Sequence, residues 1–202
     1  MGQKCREARA KYELNDENLT AAELKVLSFG LPLNEIEQRN VVVGEFKGEP
    51  VHIHTVICGI DNTKPVMVLV HGYGGSGALF YKVIKKLTRK FKVILIDLIG
   101  MGGSSRPANF DANTMSAEQA TDYMTGYIEA WRASMNITGF YLAAHSFGGY
   151  ICGHYALKHH QHIKKLLMLS PIGCNYDPEF EALTHEEKME RVMAKFAARA
   201  QN

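Results

Sequence analysis

Ala144-His145-Ser146-Phe147-Gly148 sets a serine among small residues, and its flanks decide the fold. Phe140, Tyr141, Leu142 and Ala143 precede it with a strand-like pattern, and Tyr150 to Lys158 follow it as a helical run. A serine at such a junction has the pattern of a nucleophile elbow, a sharp strand-to-helix turn that lifts one side chain above a parallel sheet. The turn needs small neighbours because the backbone doubles back, so a side chain beyond methyl at positions 144 or 148 would collide with it. Gly149 relaxes the start of the helix in the same way. An ordinary glycine-rich βα turn would share this pattern, and Ala144 stands where the motif has glycine, so a second motif has to decide.

That motif lies upstream. Val66, Met67, Val68, Leu69 and Val70 form the continuous apolar run of a strand buried on both faces, and it ends in His71-Gly72-Tyr73-Gly74-Gly75. Glycines there let a backbone N–H point into a cleft. Acyl transfer needs donors aimed at a developing oxyanion, usually one N–H from the residue after the nucleophile and one from a loop after an earlier strand. Phe147 and Tyr73 would supply them, with Gly72 and Gly74 shaping the loop. A phosphate-cradling loop is the alternative, but no G-x-x-x-x-G-K-[ST] pattern is present. His71 reads as a brace for its loop rather than as a base.

A third motif, Asp97-Leu98-Ile99-Gly100-Met101-Gly102-Gly103-Ser104-Ser105-Arg106-Pro107, directly follows the strand-like run Lys92 to Asp97. Open α/β sheets bind ligands beyond the carboxyl ends of their strands, so this loop, the His71 loop and Ser146 should face one crevice. At the start of a Gly-Ser turn, Asp97 suits side-chain capping of loop amides better than a catalytic role. Gly100 and Gly102 read as turn geometry.

The remaining pattern fits the same architecture. Arg6 to Ser28 reads as helical, with Thr20-Ala21-Ala22-Glu23 as a capping box. Val41 to Phe46 and Val51 to Cys58, separated by Lys47-Gly48-Glu49-Pro50, give a hairpin signal. Helices are expected at Leu79 to Arg89, Ala117 to Met135 and Phe147 to His160, with a further strand at Ile163 to Leu169. Strands alternating with helices of this length specify an α/β fold with a mostly parallel sheet covered on both faces. The 202 residues, 46% apolar and 22% charged, suffice for one globular domain with a core.

Composition removes several function classes. A net charge of +2 gives no reason for a nucleic-acid partner. Cys5, Cys58, Cys152 and Cys174 form no C-x-x-C pair, which argues against a zinc site or a disulfide framework and for a reducing, cytoplasmic setting. No motif calls for a cofactor or a metal. No stretch approaches the roughly 20 apolar residues of a membrane span, and the N-terminus lacks the apolar core of a signal peptide. Met1-Gly2-Gln3-Lys4-Cys5-Arg6 is similar to an acylated start, but Arg6 occupies the Ser/Thr position, so a solvated end is the expectation.

From about Leu24 to Gly173 the chain resembles the amino-terminal part of an α/β-hydrolase-fold protein. More narrowly, it is similar to the abhydrolase-domain lipid-enzyme subfamily that includes comparative gene identification 58 and its N-acyl phospholipid lipase relatives. The His71, Asp97 and Ser146 motifs carry this likeness, together with Leu169-Ser170-Pro171-Ile172-Gly173. The resemblance implies Ser146 as nucleophile and a lipid or small acyl ester or amide as substrate. It also implies peripheral contact with membranes or lipid droplets, for which the basic group Lys82, Lys85, Lys86, Arg89, Lys90 and Lys92 is a weak second indication. Some family members carry Asn at the serine position and serve as co-activators; Ser146 favours an enzyme.

One part of the pattern is missing. In this fold the triad runs in the order Ser, Asp or Glu, His, with the last two beyond the sixth strand. Thirty-two residues follow Ser170, and they read as the start of a cap. Their one histidine, His185, sits in the capping box Thr184-His185-Glu186-Glu187. Asp177 and Glu179 lie where some hydrolases place the acid, but without a base an acid has nothing to orient. The expected organisation is an N-terminal helical extension at 1–40, a partial hydrolase core at 41–173 and the start of a cap at 174–202, as in a C-terminally truncated copy of the fold. Two alternatives stand beside the enzyme: a non-catalytic lipid-binding or regulatory protein, and an inactive fragment.

Overall fold

The computed structural model describes residues 16–59, 63–111, 113–174 and 178–200. Outside them lie Met1 to Arg6, the first part of the helix expected from Arg6, and Asp177; the side chains of 195–200 are likewise not described. The described residues up to Pro171 form one compact unit, and those from Ile172 form a second.

The first unit is built on six strands, β1 (Ile36–Phe46), β2 (Glu49–Cys58), β3 (Val66–Val70), β4 (Lys92–Ile96), β5 (Phe140–His145) and β6 (Ile163–Leu169). Their order across the sheet is β1-β2-β4-β3-β5-β6. β4, β3, β5 and β6 run parallel, while β1 and β2 are antiparallel to their neighbours, so the mostly parallel α/β sheet stands. β3 and β4 read as unbroken apolar runs because both faces of the sheet are covered. The hairpin turns at Lys47 (φ +53°) and Gly48 (φ +83°), two positive φ values that match the right-handed twist of the strands they join.

Five α-helices longer than a single turn belong to the described residues of both units. α1 (Asp16–Leu27) and α2 (Tyr81–Leu87) cover one face of the sheet, where Leu27, Leu31 and Ile84 pack on Val56, Met67, Leu69 and Leu95. α3 (Ala117–Ser134) and α4 (Phe147–His159) cover the other, contributing Ile128, Trp131, Ile151 and Tyr155 to a cluster with Val68, Val70 and Ile96. Trp131 is wholly buried, and its Nε1–H donates to Thr55 Oγ1 at 3.0 Å, so its one polar group is satisfied inside the core. In the second unit a single turn at Pro178–Glu181 precedes α5 (His185–Ala200). The Thr184–Glu187 capping box is formed there, the Thr184 N–H donating to Glu187 Oε2 at 2.8 Å.

Two local readings change. Thr20 lies inside α1, so Thr20-Ala21-Ala22-Glu23 is not a cap. Glu23 is buried instead, its Oε2 at 2.6 Å from His54 Nε2 and accepting from the Gln38 amide. A tertiary partner thus outcompetes the local one, and it fixes α1 to β1 and β2. The helix expected from Leu79 to Arg89 divides into a 3₁₀ turn at Gly77–Phe80 and the shorter α2, since Lys90 and Phe91 both return their N–H groups to the Leu87 carbonyl.

Candidate active site

β5 ends at His145 and α4 begins at Phe147, which leaves Ser146 alone at the junction with φ +53° and ψ −117°. A non-glycine residue held there costs on the order of 1–3 kcal/mol and persists only where its surroundings enforce it. The enforcement is visible on three sides. The Ser146 N–H donates to Leu169 O at 3.0 Å, tying the turn to the end of β6. A Cβ on Gly148 would stand 2.2 Å from His71 O, and one on Gly149 2.8 Å from Pro171 Cβ. A Cβ on Gly72 would stand 3.0 Å from Ser146 Cβ, so the His71 loop and the elbow are in direct contact.

The His71 loop turns through a Gly75 N–H to Gly72 O bond of 3.1 Å, with Gly74 at φ +66°. Tyr73 occupies the first corner of that turn, where the turn itself makes no use of the N–H. Phe147 is the first residue of α4, and the leading amides of a helix have no intrahelical acceptor. The two rings meet edge to face, 6.0 Å between centroids, so the loop and the helix start are also joined by their side chains.

His71 is wholly buried, and its ring spans two loops. Leu98 N–H donates to Nε2 at 3.0 Å, which leaves Nδ1 to carry the proton and donate to Gly72 O at 2.7 Å. Burial lowers its pKa below the ordinary histidine value, against the raising influence of the Gly72 carbonyl and of Asp97, so the ring is neutral at pH 7. Asp97, 3.7 Å away, accepts from Gly77 N–H at 2.6 Å and from Gly103 N–H at 2.8 Å. Burial raises its carboxyl above the usual range, and those two amides oppose the rise. Both His71 nitrogens and both Asp97 oxygens are thereby committed to loop backbone. Among the described residues Ser146 Oγ has no hydrogen-bond partner, and Glu179 lies in the second unit.

Beside the elbow opens a cleft of about 360 Å³. Tyr73 and Phe147 wall it on one side, with Met101, Phe110, Tyr123 and Met124 among its other linings. Of these four only Met101 belongs to a motif of the sequence; Tyr123 arrives on α3 and Phe110 on the preceding loop, and their rings pack 5.2 Å apart. On the far side of the Asp97 loop the ligand atoms of Glu23, His54 and Asp97 lie within 4.8 Å of one another, the one such cluster among the described residues. A small cation would have to displace the Glu23–His54 hydrogen bond and share Asp97 with two amides. All four cysteines read for compartment are accounted for as far as described: Cys58 and Cys152 are buried thiols, the former pushed up to about 12 by burial, Cys174 is exposed, and Cys5 lies outside. Among the described residues no helix is long and apolar enough to cross a membrane.

The chain is similar in sequence and fold to known proteins. An Arabidopsis thaliana 1-acylglycerol-3-phosphate O-acyltransferase is 39% identical over 125 residues, 62% of this chain and 29% of that protein. A human (lyso)-N-acylphosphatidylethanolamine lipase is 35% identical over 113 residues, 56% of this chain and 32% of that protein. The chain thus spans just under a third of the length of these relatives. Among solved structures, the 2-hydroxy-6-oxo-6-phenylhexa-2,4-dienoate hydrolase of Rhodococcus sp. strain RHA1 superposes with a TM-score of 0.61 at 22% identity, over 74% of this chain and 52% of that one, a likeness of fold alone. Residues 65–202 match the alpha/beta hydrolase fold family, and with the elbow, the parallel sheet and the loop over it this chain belongs to that family.

Proposed function

We propose that the chain carries the nucleophile and oxyanion site of a serine hydrolase acting on lipid acyl esters or amides. The observation that carries this reading is the enforced backbone of Ser146, held at φ +53° and ψ −117° between β5 and α4. Ser146 Oγ adds to the acyl carbonyl as its proton passes to a base; the oxyanion takes hydrogen bonds from the Tyr73 and Phe147 N–H groups. Collapse expels the alcohol or amine, protonated by the same base, and leaves an acyl-enzyme that water then cleaves. A second hydroxyl in place of water would make the same acyl-enzyme a transferase, which accommodates the names of both relatives. His71 and Asp97 hold the loops in register and take no part in proton transfer. In this reading residues 174–202 open a cap.

The second reading is a lipid-binding protein without turnover, and it is favoured by the absence of a base at Ser146 Oγ among the described residues. A fluorophosphonate probe separates the two. Slow labelling of wild type at Ser146, located by peptide mass spectrometry and lost in Ser146→Ala, supports the nucleophile. Equal labelling of both proteins removes Ser146 from the mechanism, and an unlabelled but folded wild type favours the binding protein.

A further inference from the structure

We infer that Arg106 is the specificity-determining residue of the cleft, holding an anionic phosphate group on a substrate whose chain lies against the aromatic wall. This rests on the reading of the Ser146 cleft as a lipid acyl site and names the polar part of its ligand. Among the described residues Arg106 is the single charged side chain lining that cleft. The remaining surface is supplied largely by Tyr73, Met101, Phe110, Tyr123 and Phe147, which suits an acyl chain and offers no countercharge.

The guanidinium is held without being neutralised. Its Nη1 donates to Ser104 O at 3.0 Å and its Nη2 to Gly102 O at 2.9 Å, both on the loop that Asp97 organises. Among the described residues it makes no ion pair. Two of its five N–H groups are spent on those carbonyls, and three remain in a planar fork whose orientation is already fixed. A planar cation with donors to spare suits phosphate, and fixing the guanidinium beforehand reduces the entropy lost on binding.

The loop that presents Arg106 is anchored at both ends. Upstream, Ser104 Oγ donates to Asp97 O at 2.6 Å and accepts from His54 N–H at 2.9 Å, while Ser105 N–H reaches His52 O at 3.0 Å. Downstream, Asn109 Oδ1 accepts from Tyr123 O–H at 2.8 Å and Phe110 packs on the same ring. Arg106, an exposed residue, is therefore held at a set place among the linings of a cleft to which Tyr73 and Phe147, the two residues assigned to the oxyanion, also belong.

The test is equilibrium binding to the full chain in a Ser146→Ala background, so its outcome does not depend on turnover. Dodecyl phosphate, dodecanol and inorganic phosphate are titrated calorimetrically below the detergent's critical concentration. Dodecyl phosphate should bind at least about tenfold more tightly than dodecanol, the increment of a charge-assisted hydrogen bond. Arg106→Gln should remove that tenfold while leaving dodecanol unchanged, and Arg106→Lys, which keeps the charge without the fork, should fall between. An unchanged dodecanol affinity also certifies that the cleft survives the substitution. Equal losses for both dodecyl ligands, or no loss for either, would overturn the assignment. So would inorganic phosphate binding as tightly as dodecyl phosphate, since a free anion and not a lipid headgroup would then be the ligand. Failure of fluorophosphonate labelling with an intact phosphate increment would remove the nucleophile and leave Arg106 in place.

Discussion

The elbow at Ser146 and the turn after Asp97 stand at the carboxyl ends of β5 and β4, with only β3 between them, yet they are held by different forces. The elbow is a steric device: a strained serine, and glycines at 72, 148 and 149 where any Cβ would meet neighbouring atoms at 3.0 Å or less. The Asp97 turn is a hydrogen-bonding device, with a buried carboxylate receiving two amides and a buried hydroxyl, Ser104, closing on the Asp97 carbonyl. His71 links the Asp97 turn to its own loop, which packs against the elbow: Nδ1 donates to Gly72 O and Nε2 accepts from Leu98 N–H. A steric device answers to the volume of a side chain and is indifferent to pH. A hydrogen-bonding device answers to atom type and charge.

The sharpest way to break the comparison is to add one methyl group to the elbow. Gly148→Ala puts a Cβ within 2.2 Å of the His71 carbonyl oxygen and 3.0 Å of the Val70 carbonyl oxygen, both backbone atoms at the end of the central strand. Neither can rotate away, so the cost should reach about 3 kcal/mol or more, at the upper end for overpacking. Urea unfolding would measure it. A loss below about 1 kcal/mol would mean that the elbow yields, and that sterics do not set it.

At the other turn, volume should matter less than acceptors. Asp97→Ala leaves the Gly77 and Gly103 amides without partners in a buried loop, a loss of about 2–3 kcal/mol; Asp97→Asn keeps one acceptor oxygen and should lose about half of that. Equal effects for Ala and Asn would show that the carboxylate's hydrogen bonds do not hold the turn.

The third difference is pH. His71 has its folded pKa lowered from 6.5 by burial, so between that lowered value and 6.5 the unfolded chain binds more protons. Its contribution to stability is therefore complete above 6.5 and is lost as pH falls through the window, with a slope of at most about 1.4 kcal/mol per pH unit. Protonation would also set a second N–H against that of Leu98. Asp97 has the opposite sign. Its raised pKa means the folded state binds more protons just above 3.8, and its contribution falls as pH rises there. His71→Gln, whose amide oxygen can accept from Leu98, removes the titrating ring while keeping its link to the Asp97 turn. The difference in unfolding free energy should be flat above pH 6.5 and shrink below it. A pH-independent difference would remove His71 as the acid-sensitive link.

The same contrast explains what could be read from the sequence. Sheet, helices and the elbow were legible because their causes are local: apolar runs for doubly covered strands, small residues where a backbone reverses, a glycine beside a hairpin. The role of Glu23 was not, since Thr20-Ala21-Ala22-Glu23 satisfies a local capping pattern while the carboxylate goes to His54, thirty-one residues away, in a buried contact. The cleft wall was equally silent. Tyr123 and Phe110 belong to different elements, and only the packed loop brings their rings together in the cleft that Arg106 also lines. Arg106 itself stood within a quoted motif, but its fixed guanidinium depends on carbonyls whose direction is set by the Asp97 turn. Nothing local announces that.

The smallest expected effect concerns Ala144, where the elbow pattern has glycine. If the motif's first small position existed to supply glycine's conformational freedom, Ala144→Gly would be neutral or stabilising. The structure gives alanine a different standing. Ala144 is the fifth residue of β5, wholly buried, paired with Val70 on one side and Met168 on the other, and it is not among the positive-φ residues. Its methyl belongs to the core cluster with Val70 and Ile151. Glycine would forfeit that burial, about 0.8 kcal/mol, and loosen the unfolded chain by a comparable few tenths, for a loss of about 1 kcal/mol. Ser146 should keep its fluorophosphonate reactivity, since the strain resides at 146 and the close approaches at 72 and 148. A gain in stability would place the steric demand of the elbow one turn earlier, inside β5. A loss of about 1 kcal/mol with unchanged labelling would confine it to Ser146 and the glycines around it, and would leave residue 144 as ordinary core.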